Sequence, residues 1–110
     1  YLRVNTERAV QIEPPSGSKV HAKIVNISMC GVGIYHNFDC DVGTPLVLNF
    51  KLPVKGKQVD ISVNSVVRHS HLKGGGHIIG VEFLDIKKEV EAIISLYIKY
   101  KIKDRDLIRV

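Results

Sequence analysis

Tryptophan is absent from this 110-residue sequence, methionine occurs once and cysteine only twice. Two cysteines, Cys30 and Cys40, are too few for a disulfide framework, which indicates a reduced, cytoplasmic setting. No apolar run approaches the roughly 20 residues that a membrane-spanning helix needs. The chain opens at Tyr1 without an initiator methionine or a signal-peptide pattern. We therefore expect residues 1–110 to form a single domain, the C-terminal part of a longer protein.

The chain is basic, with a formal net charge of +5 and a pI near 9.3, which suggests an anionic partner. Most of the excess lies at the C-terminus, where residues 99–110 hold five basic and two acidic side chains. Four tyrosines and three phenylalanines form no evident stacking platform for nucleic acid, so we predict no such partner. A small barrel that binds nucleic acid through the basic tail, residues 101–110, is an alternative. The tail is also compatible with a solvated extension or an oligomer contact.

Alternation of apolar and polar residues predicts about six β-strands joined by short turns. The strand signals lie at residues 9–12, 20–25, 32–35, 46–50, 59–67 and 79–84. Turn signals separate them, with a Pro-Gly cluster at 14–18, a Lys-Gly pair at 55–56 and three glycines at 74–76. Because no crossover helices intervene, we predict a mainly β fold, either an antiparallel barrel or a sandwich.

The hydrophobic period changes after Asp85, from that of a strand to that of a helix. The apolar positions then follow the i, i+4, i+7, i+8, i+11 spacing of an amphipathic helix: Ile86, Val90, Ile93, Ile94 and Tyr97. Asp85 is the candidate N-cap of this C-terminal helix. Its apolar stripe needs a surface to cover, and we expect that surface to be one open side of the barrel.

The sequence offers little evidence for a catalytic nucleophile with a partner base. Ser28 has no assignable histidine and acidic partners, and neither a P-loop nor a dinucleotide fingerprint occurs. Cys30 and His36 could be imagined as a dyad, but Cys30 packs more simply as a small apolar residue. We therefore predict that the chain is not an enzyme.

Three histidines raise the question of a metal site. His69 and His71 would lie on one face of a strand, and a hairpin through the glycine turn could bring His77 close to them. No acidic residue or cysteine is spaced with the three, and a polar loop edge explains them more simply. We therefore predict no metal site.

A stretch of short polar residues and glycines lies between the second and third strand signals. Asn26 and Ser28 are two residues apart and would project from one face of an extended chain. Gly31 and Gly33 remove side-chain bulk where the chain turns or where another group must approach. The stretch is either a ligand platform or a tight turn, since Asn also stabilises turns. Arg3, 23 residues ahead of Asn26, could lie over it in a closed barrel.

This stretch resembles the signature of a known family. Asn26, Ser28 and Gly31 are similar to the (Asp/Asn)-x-Ser-x-x-Gly motif of PilZ domains, which are bacterial receptors for cyclic di-GMP. Arg3, followed by valine, resembles an upstream Arg-Val pair of the family, and residues 80–83 resemble its late Gly-Val-x-Phe strand. The resemblance covers nearly the whole chain, and it implies a six-stranded antiparallel barrel with a C-terminal helix.

One departure concerns the family's other motif, Arg-x-x-x-Arg in the N-terminal lead-in. Arg3 fits its second arginine, and the first would then lie two residues before Tyr1. Arg8 does not fit, because it is five residues from Arg3 and falls near the first strand. Either the first arginine precedes this sequence or the chain has half of the motif. The second case favours a PilZ-like module that does not bind the nucleotide and acts through protein contacts.

The resemblance implies a site for cyclic di-GMP built from Arg3, Asn26, Ser28, Gly31 and Gly33. The planar fork of Arg3 would bind guanine or phosphate, since guanine presents O6 and N7 as paired acceptors. The implied mechanism is a conformational switch in bacterial signalling, with no cofactor besides the ligand. The implied partners are a preceding domain of the same chain or a downstream effector protein, with a homodimer as an alternative.

Overall fold

The computed structural model describes residues 2–37 and 39–109, with side chains described only as far as Lys103. Within these residues it contains six β-strands and one α-helix. The strands are β1 (Val4–Glu13), β2 (Val20–Ile27), β3 (Gly31–His36), β4 (Pro45–Val54), β5 (Lys57–Lys73) and β6 (Gly76–Leu84), and the helix is α1 (Lys88–Arg109).

The strands form a closed barrel in the order β1-β2-β3-β6-β5-β4, and every neighbouring pair is antiparallel. The barrel follows from the period-2 pattern, because alternate apolar side chains of each strand point inward and bury each other. The largest fully buried side chains are Ile24, Ile27, Ile34, Leu48, Leu52, Ile79 and Ile94. The predicted six-stranded antiparallel barrel with a C-terminal helix is confirmed.

The predicted hairpin at residues 54–57 is confirmed by the pairing of Val54 with Lys57. The two residues between them, Lys55 and Gly56, have φ angles of 50° and 80°. Two consecutive positive φ angles are typical of the tight turns whose twist matches that of the flanking strands. This turn therefore fixes the register of β4 against β5.

Strand β1 begins earlier than the sequence pattern predicts, at Val4 rather than near Ala9. The pairing of β1 with β2 shifts register between Asn5 and Arg8, which is a β-bulge. Thr6, inside this segment, is a buried polar residue, so the usual apolar alternation is missing there. The prediction was wrong at this point because a bulge and a buried hydroxyl conceal the strand.

The prediction of Asp85 as the N-cap of the helix is wrong. Asp85 has a φ angle of 49°, and α1 begins three residues later, at Lys88. The carbonyl of Lys87 accepts the amide hydrogen of Glu91 at 2.9 Å, so Lys87 occupies the N-cap position. Asp85 instead lies at a bend after β6, in the left-handed region that Asp tolerates better than most residues.

The helix packs its apolar stripe against β4 and β1, as its spacing predicts. Ile94, Tyr97 and Ile98 are buried in the core. The Tyr97 and Thr6 hydroxyls share a hydrogen bond of 2.5 Å, which satisfies both buried groups. The helical backbone continues to Arg109, through most of the segment predicted as a basic tail. Among the described residues, no helix combines the length and apolar character needed to span a membrane.

Candidate ligand-binding site

Arg3 and Asn26 are brought together by the hairpin of β1 and β2. Val4 pairs with Ile27 and Asn5 pairs with Asn26, so the residue that precedes β1 lies beside the end of β2. The Arg3 guanidinium donates a hydrogen bond to Oδ1 of Asn26. The predicted approach of these two residues, 23 positions apart, is therefore present, and their side chains meet at the barrel surface.

Gly33 lies directly beneath Asn26. The two residues pair across β2 and β3. A Cβ atom at Gly33 would lie 2.6 Å from Nδ2 and 2.7 Å from Oδ1 of Asn26, closer than real Cβ contacts come. The Asn26 amide therefore occupies the space that a side chain at position 33 would need, and this holds Oδ1 toward Arg3.

Gly31 allows close packing of main chains. It pairs with Glu82 across β3 and β6, and a Cβ atom there would collide with the carbonyl oxygen of Val81. This neighbour is backbone in a paired strand, so it cannot swing aside. Gly31 therefore permits the close approach of β3 and β6, and its predicted role in ligand approach stays a prediction.

Ser28 closes the turn between β2 and β3. Its side chain is 1% exposed, and its Oγ accepts the Cys30 amide hydrogen at 3.2 Å and lies 3.4 Å from the Gly31 carbonyl oxygen. Its own amide donates to the same carbonyl at 2.9 Å. Ser28 and Asn26 thus do not share an open face, because β2 ends at Ile27 and the chain turns inward. A direct contact of Ser28 with a ligand stays a prediction.

A groove of about 550 Å³ opens beside Asn26 on the outer surface of the barrel. Tyr35 of β3 and His71 and Lys73 of β5 line it. The sequence pattern did not place them near Asn26, since their proximity depends on the register of β3 and β5 against β6. The alternation of β5 does put His71 and Lys73 on one face, which was the only signal available in the sequence.

The three histidines considered for a metal do not converge. The rings of His69 and His71 are stacked, with centroids 6.3 Å apart. His77 has its Nδ1 3.7 Å from a carboxylate oxygen of Asp39, away from the other two rings. Within residues 2–37 and 39–109, no three potential ligands from His, Cys, Asp and Glu lie close enough to hold a metal ion.

Cys30 and His36 do not form a dyad. Cys30 directly precedes β3 and His36 is its last residue. The six residues of this strand, Gly31–His36, span about 20 Å in extended chain, so the two side chains are too far apart to interact. Burial lowers the pKa of His36, because the charged imidazolium is poorly solvated there.

A family model described as the PilZ domain matches residues 1–100. The chain belongs to the PilZ domain family. No curated protein matches the sequence.

Solved structures share the PilZ fold with this chain at low sequence identity. The Bacillus subtilis inhibitor of motility, MotI/DgrA, is 22% identical with a TM-score of 0.84, over 96% of this chain and 52% of that one. The PilZ domain of Escherichia coli YcgR, solved with c-di-GMP, is 12% identical with a TM-score of 0.74, over 96% and 92%. PlzA of Borreliella burgdorferi, also solved with c-di-GMP, is 14% identical with a TM-score of 0.60, over 88% and 39%. The chain thus spans about half the length of MotI/DgrA.

Arg8 lies apart from the Asn26 side of this PilZ domain. Its guanidinium donates to the Lys51 carbonyl at 3.0 Å and to Oε1 of Gln58 at 2.8 Å. These partners belong to β4 and β5, on the side of the barrel where β1 meets β4. Arg8 therefore links strands of the barrel, whereas Arg3 lies at the motif residue Asn26.

Proposed function

We propose that this domain is a receptor for cyclic di-GMP and acts as a ligand-dependent conformational switch in bacterial second-messenger signalling. The observation that carries the proposal is the hydrogen bond from Arg3 to Asn26 above Gly33. It joins the two polar positions that the family signature assigns to the ligand. The PilZ domains of YcgR and PlzA, solved with c-di-GMP, support the proposal.

The chemistry of the pair suits a guanine base. A guanidinium carries five N–H donors in a fixed fork, so Arg3 can bind Asn26 and still bind O6 and N7 of guanine together. Arg3 is exposed, which leaves its planar face open to stacking on a base. The short Asn26 side chain, supported at Gly33, holds this fork in one direction. Ser28 and Gly31 shape the turn that carries Asn26, whether or not they contact the ligand.

The switch follows from the position of Arg3. The residue lies directly before β1, in a segment where Leu2 is 57% exposed. A ligand held by Arg3 would draw this lead-in onto the barrel and reorient a domain that precedes Tyr1. The proposed setting is cytoplasmic, and the proposed partners are that preceding domain, a downstream effector protein or a second copy of the chain. The receptor would act without catalysis and without a further cofactor.

Titration calorimetry with cyclic di-GMP tests the proposal on the full-length protein. Arg3→Ala should weaken binding about ten- to a hundredfold, because hydrogen bonds to charged groups contribute about 1.5–3 kcal/mol and each 1.4 kcal/mol is a factor of ten. Arg8→Ala is the matched control, since Arg8 binds Lys51 and Gln58 instead. It should leave the affinity unchanged.

Two results would contradict the proposal in different ways. Unchanged affinity in Arg3→Ala would remove Arg3 from the site. No heat of binding with the unaltered protein would favour a PilZ-like module that acts through protein contacts alone. Limited proteolysis at Arg3, directly before β1, tests the switch separately, because a clamped lead-in should be cleaved more slowly when the ligand is present.

A further inference from the structure

The groove beside Asn26 belongs to a continuous outer surface that crosses four strands. Lys23 pairs with Tyr35, Tyr35 with Ile78, and Ile78 with His71. Side chains of directly paired residues lie on the same face of a sheet, so these four form one row from β2 to β5. The row spans three interstrand spacings, about 14 Å. This length leaves room beside the Arg3 fork for a second nucleotide.

A neighbouring row borders this surface. Gly33 pairs with Gly80, and Gly80 pairs with His69. Neither glycine has a side chain, and a Cβ atom at Gly80 would collide with the His69 imidazole ring. Asn26 therefore covers Gly33 and His69 covers Gly80, and the groove opens beside this covered row, where Val25, Tyr35 and Ile78 line it.

The far wall of the groove presents flat rings. His71 is exposed, and its ring is stacked on that of His69 at an interplanar angle of 23°. The Tyr35 hydroxyl donates to the Gly74 carbonyl at 3.3 Å, and the Tyr35 ring covers Gly76. Each ring thus has a neighbour that restricts it, so less side-chain entropy is lost when a base packs against it.

The rim of this wall is positively charged. Lys73 lines the groove and is exposed, and it lies two residues beyond His71 on the same face of β5. A lysine ammonium is a point charge that suits a phosphate group. Rings and an ammonium side by side are the combination that binds the base and the phosphate of one nucleotide.

We propose that this groove binds the second nucleotide of the ligand, with His71 stacked on its guanine and Lys73 at a phosphate. The inference rests on the proposed function, since it assigns the half of cyclic di-GMP that Arg3 and Asn26 do not hold. The site then consists of two walls with Tyr35 and Ile78 between them. The β1–β2 hairpin supplies one wall, and the β5–β6 hairpin supplies the other.

Calorimetry with cyclic di-GMP on single variants tests this assignment. His71→Ala should weaken binding about tenfold, or about 1.4 kcal/mol, the order of magnitude for a base stacked on a ring. His71→Phe should keep most of the affinity, because it retains a flat ring. Lys73→Ala should weaken binding and reduce its salt dependence. His21→Ala is the control, because His21 is an exposed histidine that pairs with Gln11, outside the groove.

A second readout reports stacking directly. Proton NMR of the imidazole Cε1–H signals should show ring-current shifts of His71 when cyclic di-GMP is added, and none of His21. If His71→Ala and Lys73→Ala bind like the unaltered protein while Arg3→Ala loses affinity, this inference is overturned and the proposed function stands. If the unaltered protein does not bind cyclic di-GMP, the proposed function fails and this inference fails with it.

Discussion

Gly31 and Gly33 lie two residues apart in β3, yet the structure predicts opposite consequences for the same substitution. A methyl group added by Gly33→Ala would lie 2.6–2.7 Å from the polar atoms of the Asn26 amide. Those atoms are the end of a flexible side chain, so Asn26 can rotate away without moving the backbone. Rotation would take Oδ1 away from Arg3 and break the hydrogen bond between them. We therefore expect Gly33→Ala to damage the ligand site while the fold persists.

The stability change expected for Gly33→Ala is close to zero. Loss of a hydrogen bond costs about 0.5–1.5 kcal/mol, whereas alanine in place of glycine inside a strand contributes about 0.5–1 kcal/mol through lower unfolded-state entropy. Gly31→Ala differs, because its methyl group meets the Val81 carbonyl in the β3–β6 ladder. Forcing two paired strands apart should lower the free energy of unfolding by about 1–3 kcal/mol or more.

Urea unfolding followed by circular dichroism, together with calorimetry of cyclic di-GMP binding, separates the two effects. Gly33→Ala should shift the urea midpoint by no more than a stability change of about 1 kcal/mol would. The same variant should bind cyclic di-GMP more weakly. Gly31→Ala should shift the midpoint clearly downward. The reasoning is refuted if Gly33→Ala binds as well as the unaltered protein, or if Gly31→Ala is equally stable.

Two further predictions concern the fold outside the site. Tyr97→Phe leaves the buried Thr6 hydroxyl without its partner. It should therefore lower the free energy of unfolding, measured in urea, by about 1–3 kcal/mol. Tyr100→Phe is the control and should have little effect, because Tyr100 is 58% exposed. The hydrogen bond from Ser70 holds the pKa of Asp39 below its usual value, so this carboxylate stabilises the fold above pH ~4 and the stabilisation is lost as the pH falls through the lowered pKa. Asp39→Asn should therefore make the urea midpoint less sensitive to acid between about pH 5 and 2; an unchanged acid sensitivity would contradict this account.

The barrel could be predicted from sequence because most strands bury one face and expose the other. Ile61, Val63 and Val67, for example, alternate with exposed polar residues along β5, which indicates a half-buried strand. The start of β1 escaped the same reasoning, because Thr6 faces the core and is satisfied by a hydroxyl from the helix. That partner lies 91 residues away, so no local pattern reveals it.

The candidate site was predictable only in part, and the limit is the register between strands. Arg3 was expected to lie over the Asn26 stretch in a closed barrel, and the two side chains do meet. The buried position of Ser28 was not expected, since the alternation of an extended strand was carried past the point where β2 ends. The groove residues Tyr35 and His71 are neighbours only because both pair with Ile78 of β6. A sequence pattern does not reveal how strands that are distant along the chain pair.

The order of strands in the ring also has a kinetic consequence. The ladders that close the ring join β1 to β4 and β3 to β6, which are far apart in the sequence. Such contacts require loop closure before they contribute stability, and β-rich domains of this kind fold in about milliseconds to seconds. The β1–β2 hairpin needs only a short turn and can form in about microseconds. We therefore expect Arg3 and Asn26 to meet early in folding, whereas the groove is completed only when Ile78 of β6 pairs with Tyr35 of β3.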